Sequence, residues 1–310
     1  MAVKSIRREL LEEDQYERLG HVYEFVTTHN RTTIDDEELA ALGVVRSTNL
    51  DVDNAAPFDF EPRFFRPCYD RELELQQVGR ERSRIWGETL DVGKYTNPEW
   101  VPNVPYRNPE FRAMWFSCCY DELALLQAEK DEEEGRESDG YTTPHLDDFP
   151  YPACALRPET YTSGPAFVAQ RETKPHMAIV LCDATVAPED KILLSELHGC
   201  VSLMRYQIRS GRFADHHTKP VMAYTMQWET QGRITQAHYD AKINHLVIRQ
   251  SRILNLSGPE PTSDAYILLR WMVNQPVGNT QYKDTEPEEA RDTGLPNNSS
   301  EPKIVVSECS

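Results

Sequence analysis

The chain has 310 residues, with 33 Lys and Arg against 51 Asp and Glu, a net charge of −18 at pH 7, and 39% hydrophobic residues. That length buries one or two cores, and no run reaches the roughly 18 apolar residues of a membrane-spanning helix, so a membrane partner is not expected. The first twenty residues lack the apolar centre of a secretory signal, and seven scattered cysteines without a C-x-x-C pair suit a reducing compartment, which together predict a cytoplasmic or nuclear protein.

Ile6, Leu10, Leu11, Leu19, Val22, Tyr23 and Val26 recur at spacings of three and four, predicting a helix over 4–27. Thr33 is the expected N-cap of a second, short helix with acids from Asp35 to Glu38 in its first turn. Residues 49–67 have no period but carry Phe58, Phe60, Phe64 and Phe65, so an irregular segment that docks its rings on a neighbouring core is expected. Asp70 caps a helix to about Leu90, and prolines 98, 102, 105 and 109 keep the following stretch extended. Asn108-Pro109-Glu110 then starts another helix, with a capping amide, Pro at the first helical position and an acid at the positive end of the dipole. Its stripe of Phe111, Met114, Trp115, Cys118, Glu122, Leu125 and Leu126 is expected to face the core.

Residues 129–139 contain seven acids and two bases, a run that cannot bury apolar surface and should stay solvated. Beyond it, residues 175–182 form a continuous apolar run that reads as a buried strand. Pro188, Glu189 and Asp190 open the expected helix that ends at Gly211. Its Leu193, Leu197, Cys200, Val201, Met204 and Ile208 share one face, opposite a polar face of Ser195, His198, Ser202, Arg205 and Arg209. Three strands, Pro220 to Trp228, Arg233 to Tyr239 and His245 to Leu254, are joined by turns, and Ser263 with Asp264 caps a last helix through Met272. The fold class is therefore α/β, or α+β: a helical N-terminal part plus a mixed sheet in the order strand, helix, three-strand meander, helix. The expected divisions are a mainly helical part at 1–128, an acidic flexible linker at 129–150, an α/β core at 151–279 and a disordered acidic tail at 280–310.

No G-x-S-x-G elbow and no glycine-rich phosphate loop is present, and no cofactor is expected. Two polar groupings remain as candidate sites. One is Glu196 with His216, His217, His238, Asp240 and His245, in which the histidines would gather round a metal only if the hairpin register brought them to one face. Pairing of Tyr239 with His245 would send His238 to the opposite face, whereas pairing of His238 with His245 would put both on the same one.

The other grouping is electrostatic. Residues 129–139 and 280–310 carry −5 and −4, while residues 200–254 hold eight bases and three acids. Arg205, Arg209, Arg212, Lys219, Arg233, Arg249 and Arg252 thus form a candidate surface for an anionic or protein partner. Acidic tracts lying over this surface would make the intact chain a poor binder of nucleic acid.

The segment KPVMAYTMQWETQGRITQAHYDAKINHLVIRQSRIL resembles the C-terminal half of a group of filamentous-fungal proteins, in which a proline-led strand, an R-I-x-Q-A-x-x-D hairpin and an L-V-I-R strand recur. The resemblance implies an intracellular fungal protein with an accessory role, in company with secondary metabolism, and brings no assigned chemistry. The helix, meander, helix order also resembles the core of the PD-(D/E)xK nuclease fold, with Glu196 as its helical acid and Asp240 at the end of the second strand. The third strand, HLVIRQSRIL, departs from that pattern because it lacks the Glu-x-Lys that would complete a magnesium site and orient water. These residues together predict a non-catalytic interaction or accessory protein with an unidentified protein partner. A metal-dependent hydrolase or degenerate nuclease is the alternative.

Overall fold

The computed structural model describes residues 2–53, 63–69, 71–90, 109–135, 141–142, 161–169, 171, 173–257 and 260–282. The elements in chain order are α1 (Ala2–Thr28), β1 (Thr33–Ile34), α2 (Asp36–Ala41), β2 (Val44–Arg46), β3 (Phe65–Arg66), α3 (Glu72–Leu90), α4 (Pro109–Glu133), β4 (Tyr141–Thr142) and β5 (Tyr161–Ala169). They continue with β6 (Met177–Asp183), β7 (Ile192–Leu193), α5 (Leu194–Ser210), β8 (Val221–Gln227), β9 (Gln231–Asp240), β10 (His245–Gln250), β11 (Leu254–Asn255), α6 (Ser263–Met272) and β12 (Gln275–Pro276).

One mixed sheet runs in the order β2-β10-β9-β8-β6-β5-β4, with β11 also paired to β9. The expected meander is present as antiparallel β8, β9 and β10, and α5 crosses over to place β8 parallel to β6. The fold is α/β with a helical N-terminal part. That part supplies β2, which pairs parallel with β10.

Helices cover both faces of the sheet. On one face Ile179, Leu181, Ala223, Ala237, Tyr239, Leu246 and Ile248 meet α5 and the Leu19, Val22 and Val26 stripe of α1. On the other, Val180, Met222, Tyr224, Met226 and Ile234 meet α3, α4 and α6. Strands buried on both faces read as continuous apolar runs, which is why β6 and β8 show no alternation in the sequence.

Several boundaries differ from expectation for local reasons. Asp35 rather than Thr33 caps α2, accepting from the Glu38 N–H in a capping box, while Thr33 and Ile34 pair with β7. The α5 helix begins at Leu194 because the Glu196 carboxylate turns back to the Leu193 N–H; Pro188 to Lys191 form a turn instead. Gly211 ends α5 at φ 65, as its position after the apolar stripe predicts.

The expected boundary at residue 128 falls inside α4, which runs on to Glu133. Thr280 to Tyr282, assigned in the sequence to the tail, are docked. The Thr280 carbonyl accepts from the His217 N–H at 2.8 Å, and the Tyr282 N–H donates to the Asp215 carbonyl at 3.0 Å. Tyr141 and Thr142, within the expected flexible linker, instead form β4 and pair with β5. The remaining tail, linker residues 136–140 and 143–150, Phe58, Phe60 and prolines 98, 102 and 105 lie outside the described residues. Phe64 and Phe65 are buried, as expected of docked rings, and β3 pairs with β12. This crossing needs Gly278, at φ 85, where an added Cβ would lie 2.3 Å from the Arg63 carbonyl oxygen.

The buried face of α4 is rotated from the expected stripe. Ala113, Phe116, Cys119, Tyr120 and Leu123 face the sheet, whereas Met114 is 50% and Leu125 66% exposed. The sequence FRAMWFSCCYDELALL is apolar over more than half a turn, so two neighbouring stripes fit the same spacing. Leu123→Ala should therefore cost about 2–5 kcal/mol in chemical denaturation, and Leu125→Ala less than about 0.5 kcal/mol. The reverse ranking would reinstate the stripe expected from the sequence.

Candidate functional site

Beneath the first turn of α5, at the carboxyl ends of β6 and β8, the interface between helix and sheet becomes polar. Asp183, Gln227, Thr225, Arg233, Thr235 and Gln250 project from the sheet onto Ser195 and Glu196 of the helix, and all are buried. At its centre, Arg233 Nε donates to Glu196 Oε1 at 2.8 Å and Nη2 to Oε2 at 2.5 Å, a bidentate pair with both side chains out of solvent. Gln250 Nε2 and the Leu193 N–H also donate to Oε2, at 2.8 and 3.0 Å. Arg233 Nη1 donates to the Lys191 carbonyl at 2.9 Å. Beside the pair, Ser195 Oγ donates to Asp183 Oδ2 at 2.5 Å and the Thr185 N–H to Oδ1 at 2.7 Å. Burial pushes the Asp183 carboxyl above its ordinary range, against the pull of these two donors.

The other expected site residues are not at this centre. Asp240 lies seven residues along β9 from Arg233, about 23 Å at the rise of a strand. Glu196 and Asp240 therefore share no site. Asp240 pairs with His245, a register that matches neither alternative posed by the sequence, and it leaves His238 and His245 on one face.

His238 packs on the Phe64 ring at 4.9 Å, His216 Nδ1 shares a hydrogen with Thr280 Oγ1 at 2.8 Å, and His217 stacks edge-on against Tyr282. His245 Nδ1 lies against the Ile243 carbonyl. Among the described residues no three His, Cys, Asp or Glu side chains are grouped to hold a metal ion. The thiols of Cys119, Cys182 and Cys200 are buried and pushed up by that burial, Cys182 to about 12, so thiolate chemistry is suppressed.

The basic residues do not form one surface either. Arg233 is the internal partner of Glu196. Lys219 is buried and donates to Glu12 of α1 at 2.5 Å and to the His216 carbonyl. Arg249, on the opposite face of the sheet from Arg233, donates to the carbonyls of Thr48 and Asn49. Arg252 bridges Asp53 and Asp264. The guanidinium of Arg205 lies 4.6 Å from the ring centres of Tyr16 and Tyr23. Arg209 and Arg212 are exposed. The expected polar face of α5 is likewise covered: Ser195, His198 and Ser202 are buried, and His198 meets the Tyr23 ring of α1. A polar face in the sequence meant solvent only if no second helix lay over it, and α1 does.

Compared with protein-family models, curated proteins and solved structures, the chain matches none. No helix among the described residues is long and apolar enough to cross a membrane.

Removing one partner of the central pair leaves a buried charge uncompensated. Arg233→Met should lower stability by about 3–5 kcal/mol, whereas Glu196→Leu combined with Arg233→Met should lose much less than the two single changes added together. Additive losses in denaturant unfolding would show that the two residues act separately.

The histidines make stability depend on pH. Burial holds the imidazole of His176 down at about 3 and that of His238 at about 4, the latter opposed by Asp240 and assisted by Arg249. In the unfolded chain both titrate near about 6.5, so the unfolded state takes up protons that the folded state refuses. Stability is then full above that value and falls as pH drops toward 4. The urea midpoint should decline between pH 7.5 and 5, and His238→Gln should flatten the decline. A midpoint constant over that window would contradict the assignment.

Proposed function

We propose that the protein is a non-catalytic interaction or accessory protein whose helix-and-meander core is a nuclease-like framework with its acid withdrawn from metal chemistry. The observation that carries this reading is the state of Glu196. Four N–H donors converge on the carboxylate, and a guanidinium already occupies its bidentate edge. A magnesium-type cation needs several oxygen ligands in octahedral array, and here it would have to displace a buried cation to reach one. Arg233 supplies internally the positive charge that a metal would bring.

The resemblance to the fungal group supports an intracellular accessory role, with cytoplasmic or nuclear location and a link to secondary metabolism as part of the same proposal. A protein partner is favoured by Ile6 and Leu10, one turn apart on α1 and 55% and 61% exposed. The competing reading is a metal-dependent hydrolase.

Protein purified without a histidine tag should contain no stoichiometric metal. It should show no calorimetric uptake of Mg²⁺ or Mn²⁺, and it should leave plasmid and single-stranded DNA intact. Manganese-dependent cleavage that disappears in Glu196→Gln would overturn the proposal in favour of the hydrolase.

A further inference from the structure

A cleft of about 380 Å³ opens between α1, the turn from α2 into β2, and the β9–β10 hairpin. Its volume lies at the small end of the range for small-molecule sites. Leu19 and Val22 of α1 and Leu246 of β10, all buried, make an apolar floor. Ala40, Ala41 and Gly43 form one wall, and a Cβ added at Gly43 would meet nothing within 4 Å, so this wall leaves the space open.

The opposite end is polar. Arg18 donates through Nε to Asp14 at 3.0 Å, which fixes the guanidinium and leaves its terminal nitrogens without a hydrogen-bond partner among the described residues. Across the cleft, the Tyr239 hydroxyl donates to Asn244 Oδ1. That bond turns the amide so that Asn244 Nδ2, also without a partner among the described residues, is free to donate. Asn244 holds φ 57, a left-handed conformation that Asn tolerates and that a branched residue would not. Burial pushes the Tyr239 phenol up to about 12, so it stays a neutral donor and keeps the amide in this orientation. The terminal nitrogens of Arg18 and Asn244 Nδ2 are thus unused donors, one of them cationic, set above an apolar floor with His21 beside them.

We propose that this cleft binds a small amphipathic carboxylate, with its anionic head on Arg18 and Asn244 Nδ2 and its aliphatic or aromatic body on Leu19, Val22 and Leu246. The carboxylate chemistry follows from the donors, because a guanidinium edge and an amide N–H₂ match its two oxygens, while the acceptors at this end, Asp14 and Asn244 Oδ1, are already engaged by Arg18 and Tyr239. The size limit follows from the volume. Tyr239 at this cleft lies six residues along β9 from Arg233, about 20 Å at the rise of a strand, so the site is separate from the Glu196 cluster and does not depend on whether that cluster is catalytic.

The test uses the whole chain with octanoate, 3-phenylpropanoate, 1-octanol and octylamine as probes, titrated by NMR. Both carboxylates should bind with a dissociation constant of about 0.1–1 mM. The alcohol and the amine should bind about tenfold more weakly or not at all. Arg18→Gln and Asn244→Asp should each weaken octanoate by about tenfold, the second by placing a like charge against the head while keeping a residue suited to that backbone. Ala41→Phe should block all the probes, and thermal unfolding midpoints establish that each variant is folded. If Ala41→Phe fails to fold, the two polar variants decide the question. No octanoate binding at about 10 mM, equal binding of octanol, or octanoate binding unchanged in Arg18→Gln and Asn244→Asp would each overturn the proposal.

Discussion

The contact on which the architecture turns is the buried ion pair between Glu196 and Arg233. Isolated, either charge would cost several kcal/mol to bury, so each is tolerable only where the other stands. That requirement fixes the first turn of α5 over β9, and the shared donors extend it. Gln250 ties in β10, and the Leu193 N–H and Lys191 carbonyl tie in the chain that enters the helix. Apolar packing between a helix and a sheet tolerates sliding by a fraction of a turn. A bidentate guanidinium fork does not, and so the pair sets the register of the crossover.

Around this anchor lies a concentration of polar side chains unusual for a helix–sheet interface. Thr225 Oγ1, Gln227 Nε2, Thr235 Oγ1 and Gln250 Oε1 are buried without a protein hydrogen-bond partner. Buried polar groups of this kind are ordinarily satisfied by ordered water. The interface is therefore polar at this end and apolar lower down, where Ile179, Ala223, Ala237 and Ile248 meet α5.

Much of the fold was legible in the sequence, and the failures have a common cause. Strands β6, β8, β9 and β10, the C-terminal end of α5, the span of α6 and the Pro-Glu start of α4 are specified by local chemistry and appear close to where the residues place them. What could not be read was which surfaces meet. On α4, Trp115 and Leu126 of the expected stripe do pack against the core, but Met114 and Leu125, which obey the same spacing as Phe116, Tyr120 and Leu123, face outward. The polar side of α5 and the basic excess looked like solvent-facing charge because nothing local shows that α1 covers His198 or that Glu12 reaches Lys219. Glu196 stands out by its position in the helix, but its partner Arg233 sits 37 residues on, where its sequence context is that of a surface base. The cleft beside Arg18 has no motif. It arises where two alanines and a glycine happen to face a hairpin from the other end of the chain.

The placement of α1 and β2 has a consequence for how the chain is made. Both leave the ribosome before the elements they pack on: β2 pairs with β10, and the apolar stripe of α1 lies on α5. At about 5–20 residues per second, the roughly 200 residues in between take about 10–40 s to appear. For that interval Leu19, Val22 and Val26 have no native surface to cover them. An amphipathic helix waiting this long with its apolar side bare is the form of client that a nascent-chain chaperone holds, so the native topology itself creates a demand for one.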